Sequence, residues 1–235
     1  MKILVIIPAY NEEENIERVV DKLQKDCPFA DYVIINDCSK DRTAHICEEK
    51  GFNYISLPSN LGIGGGVQTG YIYAKEHDYD VAVQFDGDGQ HNAEYIKDLI
   101  EPLKNGEADM TIGSRFIEKE GFQTSAMRRT GIVVLKWVIR VCSGVTVTDA
   151  TSGFRAVNKR LIHFFAENYA QDYPEPEAIV AAKRSGFRIM DVPVVMNERS
   201  GGVSSIGGLD SIYYMIKVIL AIFACRIVYK KRKER

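Results

Sequence analysis

Ile3-Leu4-Val5-Ile6-Ile7-Pro8-Ala9-Tyr10-Asn11-Glu12 sets five apolar residues in a row against a proline and a short polar turn. An unbroken run of Ile, Leu and Val is the pattern of a strand buried on both faces, and it is too short for a signal-peptide core or a membrane span. Pro8 is expected to stop that strand. The same pattern returns at Tyr32–Ile35, Tyr54–Leu57, Val81–Phe85 and Met110–Ile112, with helical periodicity between the runs over Glu13–Asp26, Asp41–Lys50, Gly65–Glu76 and Asn92–Lys104. This alternation predicts βαβ units, hence an α/β fold with an open, mostly parallel sheet flanked by helices. Ligands of such sheets bind beyond the carboxyl ends of the strands. The loops leaving the apolar runs are therefore where chemistry is expected.

Past Gly113 the alternation loosens into a helix over Ser125–Cys142, a loop at Thr146–Gly153, a short strand near Phe154–Val157, two more helices and a strand at Arg188–Val192. Ser211–Tyr229 reads as a C-terminal amphipathic helix. Its uncharged stretch, Val218–Cys225, lies between Lys217 and Arg226 and falls well short of the roughly 20 apolar residues a bilayer span needs. Ile212, Met215, Ile216, Ile219, Ile222 and Phe223 form a stripe at helical spacing, suited to packing on the domain or to lying along a membrane surface. The chain divides into a domain over 1–208 and an appended helix and basic tail over 209–235.

Composition narrows the class. With 235 residues, 46% hydrophobic and 26% charged, the chain is an ordinary globular protein rather than a disordered or collagenous one. Five cysteines at long spacings, with no CxxC and no HExxH, fit a reduced cytosolic compartment and give no support for zinc. Formal net charge is −2, but residues 226–235 hold six basic side chains (Arg226, Lys230, Lys231, Arg232, Lys233, Arg235) against Glu234. An acidic body argues against nucleic acid as a partner. A basic tail after an apolar stretch points to an anionic membrane surface, so the expected location is the cytoplasmic inner face of a membrane, peripherally bound.

The strand ends carry the candidate chemistry. Tyr10 offers a flat face for a base and Glu12 an acceptor for a hydroxyl or a base N–H; equally, Asn11 could be the N-cap of a helix with acidic residues in its first turn. In Asn36-Asp37-Cys38-Ser39-Lys40-Asp41, Ser39 or Asp41 could cap the next helix, but Asp37 leaves a buried run, where a carboxylate needs a partner or a ligand. Asp86-Gly87-Asp88-Gly89-Gln90-His91 places two carboxylates around one small residue at a sheet mouth, suited to a hard divalent cation, Mg²⁺ or Mn²⁺. The glycines of Asn60-Leu61-Gly62-Ile63-Gly64-Gly65-Gly66 do not make a dinucleotide fingerprint, because Val67 and Pro58 break it. They suit a close backbone approach at a helix start, with N–H groups available to an anion.

Taken together, Pro8-Ala9-Tyr10-Asn11-Glu12, Asn36–Asp41, Asn60-Leu61-Gly62, Asp86–His91 and Thr148-Asp149-Ala150-Thr151-Ser152-Gly153-Phe154-Arg155 resemble the family 2 glycosyltransferases of the GT-A fold. The resemblance is to the branch of dolichyl-phosphate mannose synthase and bacterial polyprenyl-phosphate sugar transferases, and it spans roughly residues 3–205. It implies that Pro8, Tyr10, Glu12, Asp37 and Gly62 bind the nucleotide-sugar. Asp86 and Asp88 would hold a metal and the diphosphate, with Asp88 also counted among the catalytic groups. Gln90 falls near the sugar, and Arg115 and Arg199 near anionic groups. Asp149 stands beside the acceptor nucleophile, as general base for a hydroxyl or as an orienting charge for a phosphate. Asn36 replaces an aspartate common among relatives. Glu177, in Tyr173-Pro174-Glu175-Pro176-Glu177, is a candidate acceptor-side contact or part of a plain Pro-bearing helix start.

The implied activity is an inverting, metal-dependent transfer from a nucleotide-diphospho-sugar, expected to be UDP-linked, to a polyprenyl phosphate or lipid-linked saccharide in cell-envelope glycan synthesis. A polysaccharide-building transferase with a hydroxyl acceptor and a sugar nucleotidyltransferase are the enzymatic alternatives, and a non-catalytic accessory subunit is the third class. A homo-oligomer or a membrane-protein partner stays open.

Overall fold

The computed structural model describes residues 1–118, 126–197 and 210–229. Within them a seven-stranded sheet comprises β1 (Ile3–Ala9), β2 (Asp31–Asn36), β3 (Tyr54–Ser56), β4 (Val81–Gln84), β5 (Met110–Ser114), β6 (Arg155–Asn158) and β7 (Ile189–Pro193). The helices are α1 (Ile16–Asp26), α2 (Thr43–Glu49), α3 (Gly62–Glu76), α4 (Ile96–Lys104), α5 (Ala126–Ser143), α6 (Lys159–Glu167), α7 (Pro174–Arg184) and α8 (Asp210–Val228). The strand order is β3-β2-β1-β4-β6-β5-β7. All ladders are parallel except those of β6, which runs antiparallel between β4 and β5. Orientation is the part of the expectation that periodicity left blank: a strand reached through a long helix and a returning loop can enter the sheet either way.

Every residue of β1 is buried, and the two-residue period divides them between two cores. Leu4 and Ile6 join the layer built on α3, α5, α6, α7 and α8. Ile3, Val5, Ile7 and Ala9 join the layer built on α1, α2 and α4. Gly70 allows α3 to lie on the sheet, since a Cβ there would come 2.2 Å from Ile6 Cγ2. The close backbone approach expected at the helix start is seen instead at Gly64, where a Cβ would come 2.3 Å from the Ala170 carbonyl oxygen.

Three local readings are corrected. Pro8 does not end β1, which continues to Ala9 with Pro8 paired to Ile35 of β2. Pairing to β4 ends at Ile6 with Gln84, and the Ile6 carbonyl takes the Phe85 N–H. Residue 8 faces the same way as residue 6, beyond β4's last rung, so the N–H that proline lacks is not missed. Asn11 does not cap a helix: it has φ +56, and α1 starts only at Ile16, after a turn in which the Glu12 carbonyl accepts the N–H groups of Asn15 and Ile16. Finally, α3 begins at Gly62 rather than Gly65, because side chains satisfy its first donors from outside. Asn60 Oδ1 accepts the Gly62 N–H (3.1 Å) and Asp37 Oδ1 the Leu61 N–H (2.7 Å).

The sheet's switch point lies between β1 and β4, where the connections to β2 and to β4 leave in opposite directions. A crevice must open there at the carboxyl edge.

Candidate active site

A cleft of ≈ 440 Å³ sits at that switch point. Pro8, Tyr10 and Glu12 from the end of β1, Asp37 from β2, Gly62 from α3, and Asp86 and Asp88 from beyond β4 all line it. Seven residues singled out from four separated segments therefore meet around one volume. Ala9, Asn60, Ile63, Gly66 and Gly87 complete the wall. Of these, Asn60 had a usable signal, standing between a strand end and a helix start and so able to reach both; its Nδ2 donates to the Asp37 carbonyl (3.2 Å).

The loops after β1 and β2 are stitched together by short polar side chains. The Asn11 N–H donates to Ser39 Oγ (3.0 Å), Asn11 Oδ1 accepts the Lys40 N–H (2.8 Å), and the Glu12 N–H donates to Thr43 Oγ1 (2.9 Å). Asp41 accepts from the Thr43 hydroxyl (2.6 Å) and from the N–H groups of Thr43 and Glu13. Burial works against its charge, yet these donors prevail and hold its pKa below the usual carboxylate value. Neither Ser39 nor Asp41 is the N-cap of α2, which is Arg42; Asp41, one residue earlier, reaches the first helical N–H at Thr43, while Ser39 serves the neighbouring loop. Asp37, 5% exposed, finds its partner in the Leu61 N–H.

The Asp86 turn is braced from beneath. His91, itself buried against Phe154 with rings 4.7 Å apart, accepts the Asp86 N–H at Nδ1 (3.0 Å). Fully buried Gln84 donates to Asp86 Oδ1 (3.3 Å). Gly153 presses on the carboxylate: a Cβ there would lie 2.6 Å from Asp86 Oδ2. Gly153 must stay a glycine for Asp86 to keep this position. Asp88 Oδ1 accepts the Gln90 N–H (3.0 Å), and the Gln90 carbonyl accepts the Asn197 N–H (2.9 Å), so Gln90 joins the site through its backbone.

Asp149 and Arg115 are brought to each other and not to the cleft wall. Arg115 Nε and Nη2 donate to the two oxygens of Asp149 at 2.7 and 2.9 Å, and Asp149 is fully buried. Asp191 on β7, which no local motif singles out, accepts from the Thr148 hydroxyl (2.7 Å) and from the Thr148 N–H. Among the described residues its other oxygen is buried without a hydrogen-bond partner. Burial raises the Asp191 pKa, and the neighbouring Asp149 charge adds to the rise. Buried Arg155 donates to the carbonyls of Ser152 (2.7 Å), Glu175 (2.7 Å) and Ala150 (3.4 Å), tying the Thr148–Gly153 loop to the start of α7. An arginine inside an otherwise apolar strand run was the legible sign of that role. Burial raises the pKa of Glu177 as well, with Asp172 contributing. Arg199 lies outside the described residues.

Residues 4–165 match the model of glycosyl transferase family 2. The chain belongs to glycosyl transferase family 2. Relatives within it include the UDP-N-acetylglucosamine–dolichyl-phosphate N-acetylglucosaminyltransferase of Methanococcus voltae, 33% identical over 212 residues and covering 82% of this chain and 84% of that one. The polyprenol monophosphomannose synthase of Mycolicibacterium smegmatis is 29% identical over 227 residues, covering 92% and 84%. In three dimensions the chain is similar to glucosyl-3-phosphoglycerate synthase from Mycobacterium tuberculosis, solved with Mn²⁺, UDP-glucose and phosphoglyceric acid, at TM-score 0.70 over 96% of this chain and 79% of that one. At 20% identity that likeness speaks to fold alone. The family 2 glycosyltransferase thus has the expected GT-A fold, a mixed seven-stranded sheet flanked by helices, and it is a glycosyl-transferring enzyme.

Proposed function

We propose that this family 2 enzyme moves a sugar from a nucleoside diphosphate donor, UDP-linked, to a polyprenyl phosphate, with inversion at the anomeric carbon, in cell-envelope glycan synthesis. The observation that carries the reading is the meeting of Tyr10, Glu12, Asp37, Asp86 and Asp88 in one cleft. Tyr10, 43% exposed, gives a face for the base, and Asp37 and Glu12 give acceptors for N–H and hydroxyl groups. Transfer to a polyprenyl phosphate is what the named relatives do.

Asp86 and Asp88 suit a Mg²⁺ or Mn²⁺ ion. Among the described residues no group of three or more His, Cys, Asp or Glu side chains could enclose a metal. The protein would then supply two carboxylates and leave coordination sites to water and phosphate oxygens, the habit of these ions. Such an ion, when bound, stabilises the charge that grows on the departing diphosphate. Asp86 is oriented for that contact by Gln84 and Gly153.

The bidentate Arg115 contact favours a phosphate acceptor over a hydroxyl one. A carboxylate locked on a guanidinium is a poor proton acceptor, whereas an ionised phosphate needs no base. Thermal stabilisation by a panel of nucleotide-sugars, with Mn²⁺ or chelator, identifies the donor; UDP-sugars should stabilise and chelator should remove the effect. Transfer of labelled sugar to polyprenyl phosphate then tests the acceptor, with Asp149→Asn retaining substantial turnover. Abolition of turnover in that variant, with labelled sugar appearing on a glycan hydroxyl, would overturn the phosphate reading.

A further inference from the structure

Asn15 stands at the N-cap position of α1, where an asparagine ordinarily turns its side-chain oxygen on to the N–H groups of the first helical turn. Here the side chain makes no capping bond, although it is buried, with 4% exposure. Its amide engages two charged side chains instead. Asn15 Nδ2 donates to Glu12 Oε2 (2.8 Å), and Asn15 Oδ1 accepts from Arg18 Nη2 (3.1 Å). A buried amide that forgoes its usual cap calls for another role.

Glu12 lines the cleft, and its backbone is already fixed. Its N–H donates to Thr43 Oγ1, and its carbonyl takes the N–H groups of Asn15 and Ile16. Those contacts set where the residue stands, not where its carboxylate points. A glutamate side chain left free to rotate loses rotamer entropy when a ligand orders it, and that loss weakens binding. The Asn15 contact fixes the carboxylate end before a ligand arrives. Arg18 fixes the amide in turn: only Nδ2 towards the acid with Oδ1 towards the guanidinium suits both neighbours, so the cation prevents the flip that would turn Oδ1 on to Glu12.

The same guanidinium covers the metal-side turn. Gly89 has φ +77, and a Cβ there would lie 2.7 Å from Arg18 Nη2. Gly87, two residues earlier, presses on the end of β1, where a Cβ would lie 3.1 Å from the Pro8 carbonyl oxygen and 3.7 Å from Glu12 Cγ. Glu12, Asn15 and Arg18 thus form a chain that begins at the loop after β1 and ends on Asp88-Gly89-Gln90. Both Glu12 and Asp88 face the cleft.

We infer that Asn15 is a positioning residue for the nucleotide-sugar, holding the Glu12 carboxylate at the cleft while Arg18, lodged over the Asp88–Gln90 turn, locks the amide. The inference rests on the donor reading proposed above. An amide is the group this place needs, because it offers a donor to the acid and an acceptor to the cation at once. Aspartate would set a second negative charge against Glu12, and a shorter side chain would not span the two groups.

The test is a double-mutant cycle, read by calorimetric titration of the full chain with UDP and with GDP, each with Mn²⁺. Asn15→Ser keeps a good N-cap residue and so protects the helix start, but is too short to bridge Glu12 and Arg18. It should weaken binding of the nucleotide that wild type takes by on the order of tenfold. In a Glu12→Ala background it should add nothing, since its effect passes through that carboxylate. Asn15→Asp, which keeps the volume and an acceptor for Arg18, should weaken binding in the same direction. In turnover, the donor KM should rise by the same factor with the polyprenyl phosphate KM unchanged, whereas a loosened fold would raise both. Unchanged affinity in both Asn15 variants, an equal loss in both backgrounds, or a parallel rise of the two KM values overturns the inference. Wild type that binds neither nucleotide overturns the donor reading and this inference with it, whereas wild type that binds no better than the Asn15 variants leaves the donor reading standing.

Discussion

The two halves of the site handle their carboxylates in opposite ways. Around the cleft, Asp37 accepts a backbone N–H and Asp86 a neutral amide, with the His91 Nε2 3.6 Å from its other oxygen, and both line open volume. Beyond Gly153, Asp149 is fully buried and engaged by both arms of Arg115 before any ligand arrives. Neutral donors orient an acid while leaving its charge for a cation or a sugar; a guanidinium cancels the charge. The cleft half is therefore preorganised to receive, while the Arg115–Asp149 half is internally compensated and has to exchange that pairing if it is to meet an anionic acceptor.

The sharpest way to break this contrast is Asp86→Asn, which preserves shape and the Gln84 neighbourhood while removing the charge. Turnover should fall by about 10²–10³, the size of losing one transition-state electrostatic contact, with the unfolding midpoint little changed. A comparable loss of stability would instead place Asp86 among structural groups. The second test addresses the compensated half. Arg115→Ala strands the Asp149 charge in the interior and should cost about 3–5 kcal/mol in urea unfolding, part of it regained in Arg115→Met with Asp149→Leu. Additive losses in that double variant would deny the pairing.

The smallest effect belongs to Asp191, whose folded pKa is raised by burial and by Asp149. Between the ordinary carboxylate value and the raised one, the folded state binds more protons than the unfolded state, so this group's contribution to stability falls as pH rises through that window. Asp191→Asn removes the dependence. Its melting temperature relative to wild type should become more favourable as pH climbs from ~4 towards neutrality; a difference independent of pH would mean that Asp191 is not held against its charge.

Legibility in the sequence followed the same division. Each cleft residue stands at the end of an apolar run or the start of a helix, so strand order and the switch-point rule suffice to bring Tyr10, Asp37 and Asp86 together. Nothing local marks Asp191 as the partner of Thr148, 43 residues away, or Gly153 as the neighbour of Asp86; both depend on β6 entering antiparallel and on β7 lying at the sheet's edge. Pro8 and Asn11 were misjudged for a related reason. Proline's cost in a strand depends on whether a neighbour waits for its N–H, and a turn residue's role depends on the loop it faces.

Hydrophobic periodicity by itself determined the α/β class, the strands that carry the cleft residues, and the acidic pair at the mouth of β4, because these follow from which side chains must leave water and where each run stops. Only the tertiary structure decided that Arg115 neutralises Asp149, that Arg155 anchors the intervening loop on carbonyls, and that Val218 and Ile222 of α8 join the core while Leu220 and Ile227 stay exposed among the described residues. Those outcomes depend on which groups distant in the chain become neighbours, and pairing energies between charges or packed faces exist only once the fold has set the distances.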